Sequence, residues 1–170
     1  MKIVIVGGGI SGWISALLFP IRQPYHEYVI VESPDVKTIG VGEGTTGLFM
    51  TQVINDFFGT PIQEFLRETK ATPKIGIEFN DWKEIGSTYF NPIDGTPTRD
   101  QPFDSTLYFT NIQNSTLDTS SLHGLMKKSK KSPFYRMAGE LRYYDTALHL
   151  DNELTIKYLK KKALDAKNLS

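Results

Sequence analysis

Hydrophobic residues at the start of the chain fall into two short runs separated by a helical pattern. Residues 2–6, KIVIV, form a continuous β-branched run, which predicts a strand buried on both faces. Glycines follow, and residues 10–19, ISGWISALLF, predict a helix that ends at Pro20. Residues 27–33, EYVIVES, predict a second buried strand. Because a helix between consecutive strands favours parallel pairing, these elements predict a right-handed βαβ unit.

Further along the chain, the hydrophobic spacing alternates between helical and extended periods. Residues 45–68 carry apolar positions at helical spacing on both sides of a Gly-Thr-Pro break, and they predict two amphipathic helices. In residues 74–82, KIGIEFNDW, apolar and polar positions alternate, which predicts a strand with one buried face. Residues 87–93, STYFNPI, are its predicted partner. A final amphipathic pattern predicts a C-terminal helix with Asp151 as its N-cap.

The middle of the chain has the weakest pattern. Residues 92–135 are rich in Pro, Gly, Thr, Ser and Asn, which predicts an irregular insert, and the lysines near its end (Lys127, Lys128, Lys130 and Lys131) are predicted to lie in a solvated loop. We therefore predict one α/β domain in three parts: a dinucleotide-binding region at 1–91, the insert at 92–135, and a C-terminal helical segment at 136–170.

Composition narrows the class of protein. The 170 residues include 39% hydrophobic residues, and 19 acidic residues balance 19 basic ones. No charge excess favours nucleic acid or a membrane surface, no apolar run is long enough to span a membrane, and no signal peptide is apparent, so we expect a cytoplasmic protein. The chain has no cysteine, which excludes disulfides and thiolate chemistry. His149 and Asp151 have no third ligand nearby, so we predict no metal site.

A glycine motif gives the first sign of chemistry. Gly7, Gly9 and Gly12 form G-x-G-x-x-G between a predicted strand and a predicted helix, which is the context that the motif requires. The first glycine permits a tight turn, the second lets the backbone approach a pyrophosphate, and the third lets the helix pack closely on the strand. Glu32 lies twenty residues beyond Gly12 at the end of the second strand, where its carboxylate can accept hydrogen bonds from ribose. This combination predicts dinucleotide binding, and the acid argues against a ribose 2′-phosphate.

Longer strings indicate a family. The string VESPDVKTIGVGEGTTGLF, then ETKATPKIGIEFNDW, and later ALHLD resemble the flavin-dependent tryptophan halogenases. The resemblance implies a Rossmann-like, doubly wound FAD-binding fold of the FAD-monooxygenase type. Members of that family are much longer, so it also implies an incomplete N-terminal portion that lacks part of the catalytic site. Gly47 stands where the family usually has a proline, which loosens the GEGT loop.

The resemblance also implies site residues and partners. The expected FAD-binding residues lie in the glycine loop, at the end of the second strand and in the GVGEGT loop: Gly7, Gly9, Ile10, Ser11, Gly12, Trp13, Glu32, Ser33, Val41, Gly42, Glu43, Gly44 and Thr45. Lys74 matches the family's catalytic lysine, which directs hypohalous acid towards an aromatic substrate such as tryptophan. Taken without the resemblance, Lys74 is more simply a lysine at a strand end with its stem on an apolar surface. Halide, an aromatic substrate and a separate flavin reductase are the implied partners.

Two other functions stay open at this point. An incomplete sheet has unpaired edges, which favour association, so the chain could be a non-catalytic nucleotide-binding remnant that needs a C-terminal partner chain. The glycines and Glu32 would also suit an NAD-dependent oxidoreductase.

Overall fold

The computed structural model describes residues 1–36, 41–93, 121–144 and 146–165. The strands are β1 (Lys2–Val6), β2 (Glu27–Val31), β3 (Glu43–Gly44), β4 (Thr72–Lys74), β5 (Gly76–Asn80), β6 (Thr88–Pro92), β7 (Phe134–Met137), β8 (Glu140–Tyr143) and β9 (Ala147–Leu150). The helices are α1 (Ile10–Arg22), α2 (Ile62–Thr69), α3 (Leu122–Lys128) and α4 (Asn152–Asp165), with a π-helix at Phe49–Phe57. No helix in these residues is long and apolar enough to cross a membrane.

The chain divides into two compact units, each built from segments that are separate in sequence. The first unit comprises Met1–Gly44, Thr51–Thr72 and His149–Ser170, and the second comprises Thr45–Met50 and Pro73–Leu148. The predicted organisation into residues 1–91, 92–135 and 136–170 stays a prediction.

The predicted βαβ unit forms the start of the first unit. β1 and β2 pair in parallel, with Ile3 opposite Tyr28 and Ile5 opposite Ile30. Helix α1 covers the face that these four residues share. The Tyr28 hydroxyl on this face donates a hydrogen bond to the Phe19 carbonyl of α1 at 3.2 Å. Tyr28 is fully buried. The parallel pairing and the crossover helix confirm the sequence prediction.

The opposite face of this sheet contradicts the prediction of strands buried on both sides. It carries Val4, Val6 and Val31, whose exposed fractions are 53%, 82% and 49%. The β-branched pattern indicates strands that are suited to burial on two faces, but α1 supplies a cover for only one of them. Val4, Val6 and Val31 therefore leave apolar side chains exposed on this face of the β1–β2 pair.

Helix α1 does not end at Pro20 as predicted, but continues to Arg22 with Pro20 inside it. Pro20 lies in the last turn, where the loss of its N–H removes one hydrogen bond without interrupting several later turns. The Gln23 N–H donates to the Phe19 carbonyl at 2.8 Å and closes the helix end. The proline is itself buried, so it contributes to the packed face of α1.

The two helices predicted in residues 45–68 are present, although the first is a π-helix. It runs over Phe49–Phe57 and buries Met50 and Ile54. Gly59 then adopts a φ of +56°, and α2 begins at Ile62 after Pro61. The Gly-Thr-Pro break therefore separates the helices as the sequence indicates, because a glycine accepts this left-handed conformation easily.

The C-terminal helix α4 completes the core of the first unit by packing against α1 and α2. Its buried face includes Leu159 and Ala163, and α1 contributes Trp13 and Ala16. The Leu154 N–H donates to the Asp151 carboxylate at 2.9 Å, so the predicted N-cap is confirmed.

In the second unit, β5 and β6 form the predicted antiparallel pair. Phe79 lies opposite Tyr89, and their rings stack with centroids 4.7 Å apart. The prediction of one buried face holds only in part, since Phe79 is half-buried and Ile77 on the same face is 39% exposed, whereas Phe90 on the other face is buried. Gly76 has no side chain, and the Phe90 ring occupies the space that a Cβ would take. Alternation in sequence marks two faces but does not say which one meets the core.

A helix lies within the segment predicted to be irregular. α3 begins after Ser121, whose hydroxyl accepts a hydrogen bond from the Gly124 N–H at 2.8 Å, and it ends at Lys128. Lys127 forms an ion pair with Glu78, and its ammonium lies 4.7 Å from the centroid of Phe90. The basic run therefore begins on a packed helix and not in the solvated loop that was predicted. The β7–β8 hairpin was also missed, and residues 94–120 of the insert lie outside the described residues.

Candidate functional site

The glycine loop connects β1 to α1 in the first unit, and its tight turn is built at Gly7. Gly7 has a φ of +118°, a conformation that side chains strongly disfavour, and its N–H donates to the Val31 carbonyl at 2.8 Å. A Cβ on Gly12 would overlap the Gly7 carbonyl oxygen. The first and third glycines therefore have the steric roles that the motif predicts: one turns the chain, and the other lets α1 approach the loop.

The second glycine faces open space. A Cβ on Gly9 would meet no atom within 4 Å, so the backbone here is accessible from the pocket that the loop lines. Gly9 is also the N-cap of α1, and among the described residues no side chain caps this helix and no acidic residue lies in its first turn. Backbone N–H groups and the positive end of the helix dipole are therefore available to an anion.

A cavity of about 610 Å³ lies next to this loop, at the carboxyl ends of β1 and β2. Open α/β sheets bind ligands at this edge. The cavity is lined by the loop glycines with Val6, Ile10, Val31, Glu32, Ser33, Val36, Glu43, Asn152 and Ile156. The structure thus brings together Gly7, Gly9, Ile10, Glu32, Ser33 and Glu43 from the predicted site. The cavity combines free N–H groups, an apolar side and two carboxylates.

Glu32 lies at the end of β2 and contacts two other elements. Its carboxylate forms an ion pair with Lys160 of α4. It also lies over Gly8, where any Cβ would overlap it. The Lys160 ammonium lies 5.3 Å from the centroid of the Trp13 ring, within the range of a cation–π interaction. Lys160 therefore pairs with Glu32, the residue predicted to bind ribose. Gly8, which has no side chain, leaves room for the Glu32 carboxylate.

Some predicted cofactor residues do not line this cavity. Trp13 is 2% exposed and belongs to the core, while Ser11 accepts a hydrogen bond from the Ser15 hydroxyl at 2.8 Å through its carbonyl. Val41 and Gly42 line a separate cavity of about 340 Å³ with Lys70, His149 and Asp151. Gly44 pairs with His149 in the β3–β9 ladder.

Glu43 and Thr45 of the GEGT loop form hydrogen bonds with different parts of the chain. The Glu43 carboxylate, which lines the glycine cavity, accepts a hydrogen bond from the Asn152 side-chain amide at 3.2 Å. Thr45 belongs to the second unit, where its hydroxyl accepts from the Leu148 N–H at 2.9 Å and its own N–H donates to the Leu148 carbonyl at 2.8 Å. Thr45 therefore has a clear structural role.

Lys74 ends β4 in the second unit. Its carbonyl accepts a hydrogen bond from the Thr146 hydroxyl at 2.9 Å, which ties the backbone at this position to the residue before β9. The side chain is half-buried. Among the described residues, no carboxylate lies within ion-pair distance of Lys74, and no group of three or more His, Asp and Glu side chains can hold a metal ion. Thr146 therefore fixes the backbone of Lys74, and in the described part of the chain no carboxylate pairs with its ammonium.

The resolved pKa shifts lie away from the cavity, in a cluster of α2 and α4. The Lys162 ammonium, 2.7 Å from Glu64 Oε1, donates a hydrogen bond that lowers the pKa of Glu64 below its ordinary 4.5 and raises the pKa of Lys162 above 10.5. Burial raises the pKa of Tyr158, whose hydroxyl donates to Glu64 at 3.3 Å. This cluster joins two helices of the first unit and has no direct part in the candidate site.

A family model, described as tryptophan halogenase, matches residues 2–168. The chain belongs to the tryptophan halogenase family.

Curated tryptophan halogenases match part of the chain. Tryptophan 7-halogenase RebH of Lentzea aerocolonigenes is 37% identical over 99 residues, covering 56% of this chain and 18% of RebH. Tryptophan 6-halogenase ThaL of Streptomyces albogriseolus is 31% identical over 114 residues, covering 58% of this chain and 21% of ThaL. The matched segments cover only about a fifth of the length of these relatives.

Solved halogenase structures match nearly all of the chain. The tryptophan 6-halogenase SttH from Streptomyces toxytricini superposes with a TM-score of 0.76 at 25% identity, over 99% of this chain and 34% of SttH. A tryptophan C-6 flavin-dependent halogenase from taromycin biosynthesis gives 0.77 at 26% identity, over 99% of this chain and 35% of the other. These likenesses confirm the predicted fold class, a Rossmann-like α/β fold of the flavin-monooxygenase type.

Several residues of the cavity in this halogenase-family chain were not predicted from the sequence. Asn152 and Ile156 line it, and Lys160 reaches Glu32. These three residues are spaced i, i+4, i+8 after the Asp151 cap, so they lie on one face of α4. That spacing was visible in the sequence, although nothing in the sequence said that this face meets the glycine loop. Gly8 was missed because the motif leaves its position unspecified.

Proposed function

We propose that this chain binds FAD through the glycine cavity and serves as the nucleotide-binding part of a flavin-dependent halogenase. The carrying observation is the loop geometry: Gly7 at positive φ, Gly12 pressed against the Gly7 carbonyl, and Gly9 open to the cavity. A turn that only connected β1 to α1 would need neither an open Gly9 nor an uncapped helix. Membership of the halogenase family, and the flavin-dependent halogenase among the similar solved structures, favour FAD over NAD as the dinucleotide.

The cavity residues fit the adenosine diphosphate half of FAD. The free N–H groups at the start of α1 suit the pyrophosphate, and Glu32 suits the ribose hydroxyls. Val31, Val36 and Ile156 offer apolar surface to the flat adenine ring. Of the other residues that the resemblance implies, Ser11, Val41, Gly42 and Gly44 are proposed as contacts to the rest of the cofactor. Trp13 is buried in the core, and Thr45 binds the backbone of Leu148, so these two are proposed as structural residues.

Lys74 is the proposed catalytic residue. Bound FAD, in reduced form, would supply the redox chemistry that turns halide and oxygen into hypohalous acid. A lysine ammonium donates up to three hydrogen bonds, so Lys74 can hold the oxygen of that acid and direct its halogen towards an aromatic carbon. The new carbon–halogen bond replaces a carbon–hydrogen bond, and the released proton and hydroxide leave as water. An aromatic substrate such as tryptophan, a halide ion and a separate flavin reductase are the proposed partners, with the cytoplasm as the proposed location.

A titration tests the proposal. We expect saturable quenching of FAD fluorescence by the wild-type chain and a rise in its thermal midpoint, because a ligand that binds only the folded state stabilises it. Gly9→Val should abolish both effects without unfolding the chain, since its Cβ enters open space. Gly47→Val is the matched control, because Gly47 does not line the cavity and a Cβ there meets its nearest neighbour at 3.9 Å. Equal FAD binding by wild type and Gly9→Val would refute the proposed site.

A second candidate is a nucleotide-binding module that associates with another chain. The exposed valines on β1 and β2 favour it, because parallel sheets are normally covered on both faces. Sedimentation that shows a folded monomer unchanged across concentration would count against it. An NAD-dependent oxidoreductase is supported only by the glycine loop and Glu32, and tighter binding of NADH than of FAD would favour that function.

A further inference from the structure

Lys160 and Glu32 form a contact that the glycine motif does not require. Lys160 lies on α4, 128 residues beyond Glu32, and its ammonium pairs with Glu32 Oε1. The same ammonium lies 5.3 Å from the centroid of the buried Trp13 ring. The lysine is therefore fixed by a carboxylate on one side and by an aromatic face on the other.

The other oxygen of the carboxylate is also constrained. Glu32 Oε2 lies where a Cβ of Gly8 would be, so the carboxylate rests over the loop backbone at the wall of the cavity. An unpaired glutamate at this exposed position could rotate its carboxylate away from the loop into water. The Lys160 pair holds Oε1 at one end, and this leaves Oε2 directed at the loop.

The two carboxylate oxygens of Glu32 therefore have different partners: Oε1 pairs with Lys160, and Oε2 lies against the loop. An ionised carboxylate has about four acceptor sites, and one lysine hydrogen bond occupies one of them. Glu32 retains enough acceptor capacity for ribose hydroxyls while Lys160 fixes its direction. The lysine also offsets the negative charge of Glu32 next to a loop that is suited to a pyrophosphate.

We propose that Lys160 is a positioning residue that sets the recognition of ribose hydroxyls by orienting Glu32. This inference rests on the proposed nucleotide site, and it adds a residue from the far end of the chain to it. Lys160 does not contact the nucleotide; it acts through Glu32. Removal of the Lys160 ammonium should therefore reduce the preference for a hydroxylated ribose and should leave the chain folded.

The test compares ADP with 2′-deoxy-ADP by calorimetry at constant salt, with FAD as the reference ligand. A hydrogen bond to a charged acceptor corresponds to about tenfold in affinity, so the wild-type chain should prefer ADP by about that factor. Lys160→Met keeps an apolar stem near Trp13 and should reduce the preference to about twofold. Lys160→Arg should restore it. Lys161→Met, on an exposed lysine of the same helix, makes the same charge change and should leave the preference intact.

A double-mutant cycle separates positioning from direct contact. Glu32→Gln should itself weaken the preference, and adding Lys160→Met to it should change nothing further, because the lysine acts through the carboxylate. An undiminished preference in Lys160→Met would overturn the inference, as would an independent effect of Lys160→Met in the Glu32→Gln background. If the wild-type chain binds neither ADP nor FAD, it is the proposed function that fails. If it binds both and Lys160→Met discriminates like wild type, only the inference about Lys160 fails.

Discussion

The glycine cavity and the strand that carries Lys74 differ in how strongly the surrounding structure determines them. Around the cavity, Gly7, Gly8 and Gly12 each occupy a place where a side chain would be strained or would overlap another atom. Around Lys74, the backbone carbonyl accepts a hydrogen bond from Thr146, and no carboxylate of the described residues lies within ion-pair distance of the side chain. Steric requirements of this kind indicate a binding site from the structure of this chain alone. The role of the Lys74 ammonium depends instead on the groups that contact it.

The largest expected effect tests whether the loop is required for both folding and binding. Gly12→Ala should destabilise the chain by about 1–3 kcal/mol and abolish FAD binding, because its Cβ overlaps the Gly7 carbonyl oxygen and forces α1 away from the loop. Chemical denaturation and FAD titration measure the two effects. Gly9→Ala is the matched control: its Cβ enters open space, so it should cost clearly less stability than Gly12→Ala, and only the loss of a favourable N-cap residue remains. If Gly12→Ala were as stable as wild type, α1 would not pack against the Gly7 carbonyl as closely as described.

The next effect tests whether α4 supports the cavity. Asp151→Ala removes the N-cap hydrogen bond to Leu154 and should lower the free energy of unfolding by about 1 kcal/mol. FAD affinity should also fall, because Asn152 and Ile156 lie in the first turns of the same helix and line the cavity. Asp151→Asn retains a capping side chain and should restore most of the stability. A stable Asp151→Ala chain would mean that the cap is not needed to form α4.

A smaller effect concerns pH and the cluster that joins α2 to α4. Because the pKa of Glu64 is lowered in the folded state, its pairing stabilises the chain above the unfolded value near 4.5 and is lost as pH falls through the lower folded value. Glu64→Gln should therefore cost about 0.5 kcal/mol near neutral pH, and the difference from wild type should vanish in acid. Thermal melts across pH measure it, with Glu68→Gln as the control for a more exposed pair with Arg67. A difference that persists in strong acid would contradict the assigned cause.

The smallest effect belongs to Lys74. Lys74→Ala should change the free energy of unfolding by less than about 0.5 kcal/mol, because the fold uses the Lys74 carbonyl and not its ammonium. FAD affinity should also be unchanged. Thermal melts and FAD titrations check both expectations. A marked loss of stability would identify Lys74 as a structural lysine and would weaken its proposed catalytic role.

The sequence predicted those features that depend on local geometry. The steric roles of Gly7 and Gly12, the parallel pairing of β1 and β2, and the Asp151 cap each follow from a few neighbouring residues, and the structure confirms them. Their physical causes act within one or two turns of the chain. The predicted end of α1 at Pro20 was wrong, since the helix continues for two more residues to Arg22. A proline is tolerated in the last turn, and the sequence alone did not show that Pro20 lies there.

Features that depend on packing between distant segments could not be predicted in this way. The pattern KIVIV predicted burial on both faces, but the structure shows Val4 and Val6 exposed, because the sequence of one strand does not reveal how many elements cover it. Helix α3 depends on a Ser121 cap and on packing of Lys127 against Phe90, which the composition of its segment conceals. Lys160 meets Glu32 across 128 residues of sequence. In each case the partner, and not the residue type, decides the outcome.

The most direct test of the central claim is a competition experiment with FAD bound to the wild-type chain. We predict that ADP displaces FAD and that FMN does not, because the glycine loop, Glu32 and the apolar cavity wall suit an adenosine diphosphate group. Displacement would be measured as the recovery of FAD fluorescence. If FMN displaced FAD while ADP had no effect, the cavity at the ends of β1 and β2 would not be the nucleotide site.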